Sequence, residues 1–131
     1  MTADEQWLAA VETGHPTGHF GHREHLLLAW LVLEREVDVE RAEDRVSHAI
    51  RAIANAHGRP QRFNRTVTDS WVRIMRHCRA HATGAGFDDA ISQYPWLLDK
   101  RLLMRHYSSS RLAGVAARAR WIEPDRLPIP A

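Results

Sequence analysis

The sequence predicts an all-α fold, a single compact helical domain of five to seven helices around a buried central second helix. Three observations predict it. Apolar residues recur with a 3.6-residue period through almost every segment. No run of alternating β-branched residues marks a strand. Capping and stopping residues stand at helix-length intervals. At 131 residues, with 44% of them hydrophobic, the chain suits one domain with its own core.

Thr2-Ala-Asp-Glu5 is a capping box that opens a first helix over residues 3–13, and Gly14, Pro16 and Gly18 break it. The second helix runs from Phe20 or Gly21 to Glu36. Its middle, Leu26 to Leu33, is apolar nearly all round, which places it at the centre. Asp38 caps a third helix to about residue 57, where His57-Gly58 and Pro60 stop it. Ala42, Val46, Ala49, Ile50 and Ile53 form its apolar stripe. Asn64 caps a fourth helix to about Thr83, with Val67, Trp71, Ile74, Met75 and Cys78 facing inward. Shorter helices are expected at 87–93 and 96–106, and a last one from a Ser108 cap to Arg120. Residues 122–131, with three prolines, form an extended tail.

The formal charge of +2 conceals a skew along the chain. Residues 1–44 hold ten acids against three arginines, a net −7; residues 45–131 hold six acids against fifteen bases, a net +9. One half can neutralise the other within the fold or across a homodimer, for which Trp96, Leu97 and Trp121 offer an apolar patch. Arg65, Arg73, Arg76 and Arg79 share the outer face of the fourth helix, after Arg59 and Arg62. The preceding turn is too long for a helix-turn-helix, and Asp69 interrupts the basic face, so a solvated face is expected and nucleic acid is disfavoured. The single cysteine, Cys78, excludes an intrachain disulfide and reads as a buried thiol. No secretory signal is visible, and the longest apolar run, eight residues, is far short of a membrane span. A cytoplasmic protein without membrane contact is the expectation.

Nine histidines are about three times ordinary usage. Sorting them by helical face thins the surplus. His48 falls opposite an apolar stripe, His15 sits in the Gly/Pro loop, and His77 lies at a face boundary. His57, His81 and His106 have ordinary helix-end explanations. His22 and His25, three residues apart, share one face of the most apolar helix, with the small Ala29 below them. Two polar rings in such a place must find partners or line a pocket. The pair could also chelate a metal ion, a mononuclear site on His22 and His25. A dinuclear carboxylate centre is disfavoured, because no helix carries Glu-x-x-His and inner-face carboxylates are nearly absent.

Four segments together carry a resemblance: Phe20-x-His22-Arg-Glu-His25-Leu-x-x-Ala29-Trp30, Phe63-x-x-Thr66-x-Thr68-x-x-Trp71, Leu102-x-x-x-x-Tyr107-Ser108 and Glu123-Pro-Asp125-x-x-Pro128-x-Pro130. They resemble a small, largely uncharacterised bacterial all-helical family, over about residues 19–130. That family has an aromatic-x-His-x-x-His opening, an aromatic-His-Glu-Thr-x-Thr segment, a Tyr-Ser pair and a closing Pro-Asp-x-x-Pro-x-Pro. The resemblance implies a metal or acid/base site. This chain has Asn64-Arg65 where the family has His-Glu, which removes two ligands and argues for a pocket without cofactor.

These readings converge on a small cofactor-independent enzyme of specialised metabolism. It would work by histidine acid/base chemistry of isomerase, cyclase, dehydratase or lyase type on a small organic substrate. His22 and His25 are the expected catalytic groups, since imidazole titrates near working pH. Asn64 and Thr68 would orient substrate, with Ala29, Trp30, Trp71 and Tyr107 forming an apolar wall among the second, third and fourth helices. The alternatives are a binding or resistance protein without chemistry and a mononuclear metal enzyme.

Overall fold

The computed structural model describes residues 1–130. Among them the chain forms seven α-helices and no strand: α1 Ala3–Glu12, α2 His22–Arg35, α3 Val39–Ala56, α4 Arg65–His81, α5 Phe87–Gln93, α6 Ser109–Ala113 and α7 Val115–Ala119. Short 3-10 turns occupy Pro60–Arg62, Pro95–Leu98 and Lys100–Arg105. No helix among the described residues is long and apolar enough to cross a membrane.

The expected caps are in place. Side chains of Thr2, Asp38, Asn64 and Ser108 accept from the backbone N–H groups of Glu5, Arg41, Val67 and Arg111. Gly21 has no side chain to cap α2, and Glu24 reaches back to the Gly21 N–H at 2.8 Å.

Two helices differ from expectation. The segment 96–106 forms two 3-10 turns separated by Asp99, whose backbone is extended (ψ 102°) and whose carboxylate accepts from Arg101 N at 3.0 Å to restart the chain. Each turn buries one leucine, Leu97 and Leu103. The last helix breaks in two at Gly114, which is extended (φ −71°, ψ 158°). Glycine costs a helix about 1 kcal/mol relative to alanine. The bend lets α7 pack on α4 with Ala117 buried, a gain that one straight helix would forgo.

The centre is shared between two helices. The buried side of α2 (Leu26, Leu28, Ala29, Val32) meets α1, α3 and α4, while α4 packs against α2, α3 and α7. The first half of α4 is buried nearly all round, including the polar Thr66, Thr68, Asp69 and Ser70. Each such group must find a partner inside. Ser70 Oγ donates to Thr66 O at 2.7 Å. Arg65 holds Asp69 at 2.9 Å, although burial, with Glu43 nearby, still pushes the Asp69 carboxyl up to about 6.

Folding brings the two charge halves together. Arg45 bridges Glu12 at 2.9 Å and Glu36 at 3.4 Å. Arg65 meets Asp44 at 2.7 Å, Arg73 meets the buried Glu43 at 2.6 Å, and Arg79 approaches Glu34 at 3.8 Å. The arginines of α4 are therefore not the solvated face that their spacing predicts. Three of the four turn back onto acids of α2 and α3, and Arg73 also lies 3.7 Å from the Trp121 ring centroid.

Candidate functional site

The connection from α1 to α2 builds a cleft against α3. After Thr13 the chain turns through Gly14 in the left-handed region (φ +86°) and crosses α3 so closely that a Cβ there would lie 2.7 Å from the Ala52 carbonyl oxygen. Only glycine satisfies both conditions. The loop then rises over the C-terminal half of α3 and leaves an open cleft of about 820 Å³ beneath Gly18 and His19. Its apolar wall is Phe20, Ile50, Ile53, Ala54 and Phe63; its polar lining is His15, His19, His25, His57, Arg59 and Arg62. No aspartate or glutamate lines it.

Four of the nine histidines line this cleft, from three separate stretches of chain. His25 is the most constrained. Its Nε2 is sealed from solvent without a hydrogen-bond partner, and burial, with His22 adding a smaller push, lowers its pKa to about 4. The ring is neutral at physiological pH, and an unsatisfied buried polar atom costs about 1–3 kcal/mol. His57 Nδ1 donates to the Ile53 carbonyl at 2.8 Å, because a carbonyl oxygen only accepts, and this leaves Nε2 uncommitted. Arg59 and Arg62 are exposed and have no acidic partner among the described residues.

The other expected site residues lie elsewhere. His22 turns away from the cleft: its Nε2 donates to the Leu97 carbonyl at 2.8 Å and its ring meets Trp71 edge-on at 4.5 Å. Burial lowers its pKa despite that carbonyl bond. Asn64 spends both ends of its amide, accepting from Val67 N at 3.0 Å and donating to Leu112 O at 2.8 Å. Ala29, Thr68 and Trp71 are buried between helices. Trp30 lies under Arg79, 4.3 Å from ring centroid to guanidinium carbon, on a different face. Of the two rings expected to work as a pair, the fold brings only His25 to the cleft.

Four of the motif residues, Thr66, Tyr107, Ser108 and Asp125, take part in a latch for the tail. Tyr107 is buried, its hydroxyl donating to Ile122 O at 2.6 Å. Thr66 Oγ1 donates to Arg120 O at 2.7 Å and accepts from Ile122 N at 3.2 Å. Ser108 Oγ donates to Asp125 at 2.6 Å. His106 Nδ1 donates to Leu127 O at 2.9 Å, and Arg126 N returns to His106 O at 2.9 Å. Residues 122–130 of the proline-rich tail are non-helical, with a bend at 125–127, and these bonds fasten them along the protein. Ala131, the last residue of the expected tail, lies outside the described residues.

Three patch residues part company in the same way. Leu97 is fully buried and Trp121 packs beneath Arg73, while Trp96 is 44% exposed. Cys78 is buried, and burial raises its thiol to about 11.

The residues that sequence reasoning passed over, His15, His19, His57, Arg59 and Arg62, belong to loops or helix ends. A helical-face sort is blind to them. The signal that could have found them was the His15-Pro-Thr-Gly-His19 loop together with arginines left over from the charge balance. Among the described residues no group of three or more His, Cys, Asp or Glu is arranged to hold a metal ion. Compared with known proteins, the chain matches no family model, no curated protein and no solved structure.

Proposed function

We propose that the protein is a small cofactor-independent enzyme that uses His25 for acid/base chemistry on an organic substrate bound in the α1–α2/α3 cleft. The observation that carries this reading is His25 itself, a neutral imidazole lining a ligand-sized cleft with one ring nitrogen buried and unpaired. Cleft volumes of roughly 300–1,000 Å³ are usual for small-molecule sites. A neutral ring held among apolar walls is present as a base, and a bound substrate that sets negative charge beside the imidazolium raises its proton affinity. His22 serves as a brace, since its Nε2–H is committed to Leu97. Phe20 and Phe63 take the place of the aromatic wall expected from Trp30, Trp71 and Tyr107. Isomerisation, cyclisation, dehydration and lyase reactions all need such a proton carrier.

The second reading is a binding protein without chemistry. It is favoured by the low proton affinity of His25 in the empty cleft and by the cleft's openness to solvent. Deuterium exchange separates the two. Wild-type protein in D₂O is incubated with a panel of small keto and hydroxy acids, and loss of C–H signal is followed by NMR. The enzyme reading expects exchange that His25→Gln slows by roughly 10²–10⁴-fold. Exchange at an unchanged rate in His25→Gln overturns it. Binding of panel members with no exchange in the wild type decides for the carrier.

A further inference from the structure

We infer that the cleft takes a small organic anion, its oxyanion group held by Arg59 and Arg62 and its apolar body laid against Ile53 and Phe20. The inference rests on the cleft being the functional site and adds the class of ligand. Four arginines that join helices, Arg45, Arg65, Arg73 and Arg79, each have a carboxylate within 4 Å. The two on the cleft have none among the described residues, and no acid lines the cleft to replace one. Arg76 and Arg120 lack a carboxylate partner too, but they line clefts that contain carboxylates, whereas the positive charge of this cleft stands without an acid in its lining.

The local backbone points that charge in one direction. Arg62 N donates to Arg59 O at 3.0 Å across the Pro60–Arg62 turn. In a 3-10 turn, residues three apart stand on the same side. Arg59 and Arg62 both line the cleft, and guanidinium groups present planar donor pairs that match a carboxylate or a phosphate. His57, just before this turn, has its Nδ1 held by Ile53 O and also lines the cleft, where its ring reports on a bound ligand. A cationic ligand would find no counter-charge in this cleft. A neutral one would leave both arginines unused.

The same anion explains His25. A negative group beside a desolvated imidazole favours its protonated form, so a bound anion would offset the burial that lowers the proton affinity of His25.

The full chain can be titrated with two probes, inorganic phosphate as the bare oxyanion and benzoate as a carboxylate with an apolar body. Sodium chloride at matched ionic strength is the control, and the histidine ring Cε1–Hε1 NMR signals are the readout. The expected result is saturable shifts of His25 and His57 with at least one probe and none with chloride. Saturation by benzoate alone assigns a carboxylate on an apolar body; by phosphate alone, a phosphoryl group; by both, the oxyanion in general. Arg59→Ala/Arg62→Ala should weaken binding at least tenfold, and Arg59→Lys/Arg62→Lys should recover part of it. Arg76→Ala, on α4 away from the cleft, should change nothing. Both cleft arginines are exposed, so the double variant should keep the wild-type circular dichroism. The inference is overturned if neither probe saturates, if chloride reproduces the shifts, or if the double alanine variant binds as tightly as the wild type. Because binding is read without turnover, failure of the acid/base reading would leave this result standing, and the reverse also holds.

Discussion

His22 Nε2 donates to the Leu97 carbonyl at 2.8 Å, and this one bond separates two histidines that share a helix face. It ties the start of α2 to the Pro95–Leu98 turn and leaves His25 alone to line the cleft. The pair still interacts, since His22 adds to the burial that holds His25 at about 4.

Acid stability should report that burial. The folded pKa of His25, about 4, lies below the value of 6.5 for an unperturbed histidine, so between these values the unfolded chain binds more protons. The His25 contribution to stability therefore rises with pH through this window; it is complete above about 6.5 and is lost as pH falls toward 4. Asp69, raised from 3.8 to about 6, works in the opposite direction between those values. The His25 shift corresponds to about 3 kcal/mol. His25→Leu should flatten the rise by that amount in urea unfolding across the window. An unchanged slope would place the titration elsewhere.

Gly14 and Gly18 offer a matched pair. Both have positive φ, +86° and +80°, but a Cβ at Gly14 meets the Ala52 carbonyl at 2.7 Å while one at Gly18 meets nothing within 4 Å. Gly18→Ala should cost roughly 1 kcal/mol, for the left-handed backbone alone. Gly14→Ala should cost at least about 2 kcal/mol more, because the clash is with backbone. Equal melting-temperature shifts for the two would remove the close approach as the cause.

Asn64 can be divided into its two bonds. Asn64→Ser keeps an N-cap acceptor for Val67 N and loses the donor to Leu112 O, at a cost of about 1 kcal/mol. Asn64→Ala loses both and should cost about 1 kcal/mol beyond the serine variant. Denaturant midpoints measure both steps, and benzoate titration of Asn64→Ser should match the wild type, because Asn64 lies outside the cleft.

Cys78 should be inert in the folded protein. With its thiol raised to about 11, native Cys78 holds roughly a hundredfold less thiolate at mildly alkaline pH than the same thiol at its ordinary value of 9.0. Iodoacetamide labelling followed by mass spectrometry should be at least that much slower in the native state than in urea. Prompt native labelling would mean that the α4 face opens.

Much of the fold was legible because it is local. Thr2, Asp38, Asn64 and Ser108 were identifiable as caps from their residue type and the apolar period that follows, and all four cap. The segment 96–106 and the last helix were not legible. Their leucines, arginines and alanines favour helix locally, and the breaks at Asp99 and Gly114, with the burial of Leu97, Leu103 and Ala117, decided their shape.

Sequence by itself determined an all-α domain, its four main helices and the non-helical tail, because each follows from hydrogen bonding and apolar spacing within a few residues. It also showed that an acidic half faces a basic half, since charge is additive along a chain. Only tertiary structure decided which histidines line one cleft. His15, His25 and His57 belong to a loop, a helix start and a helix end, and their place in it depends on Gly14 crossing Ala52. Tertiary structure likewise decided which arginines stay unpaired, because an ion pair depends on distance in space and not on order along the chain.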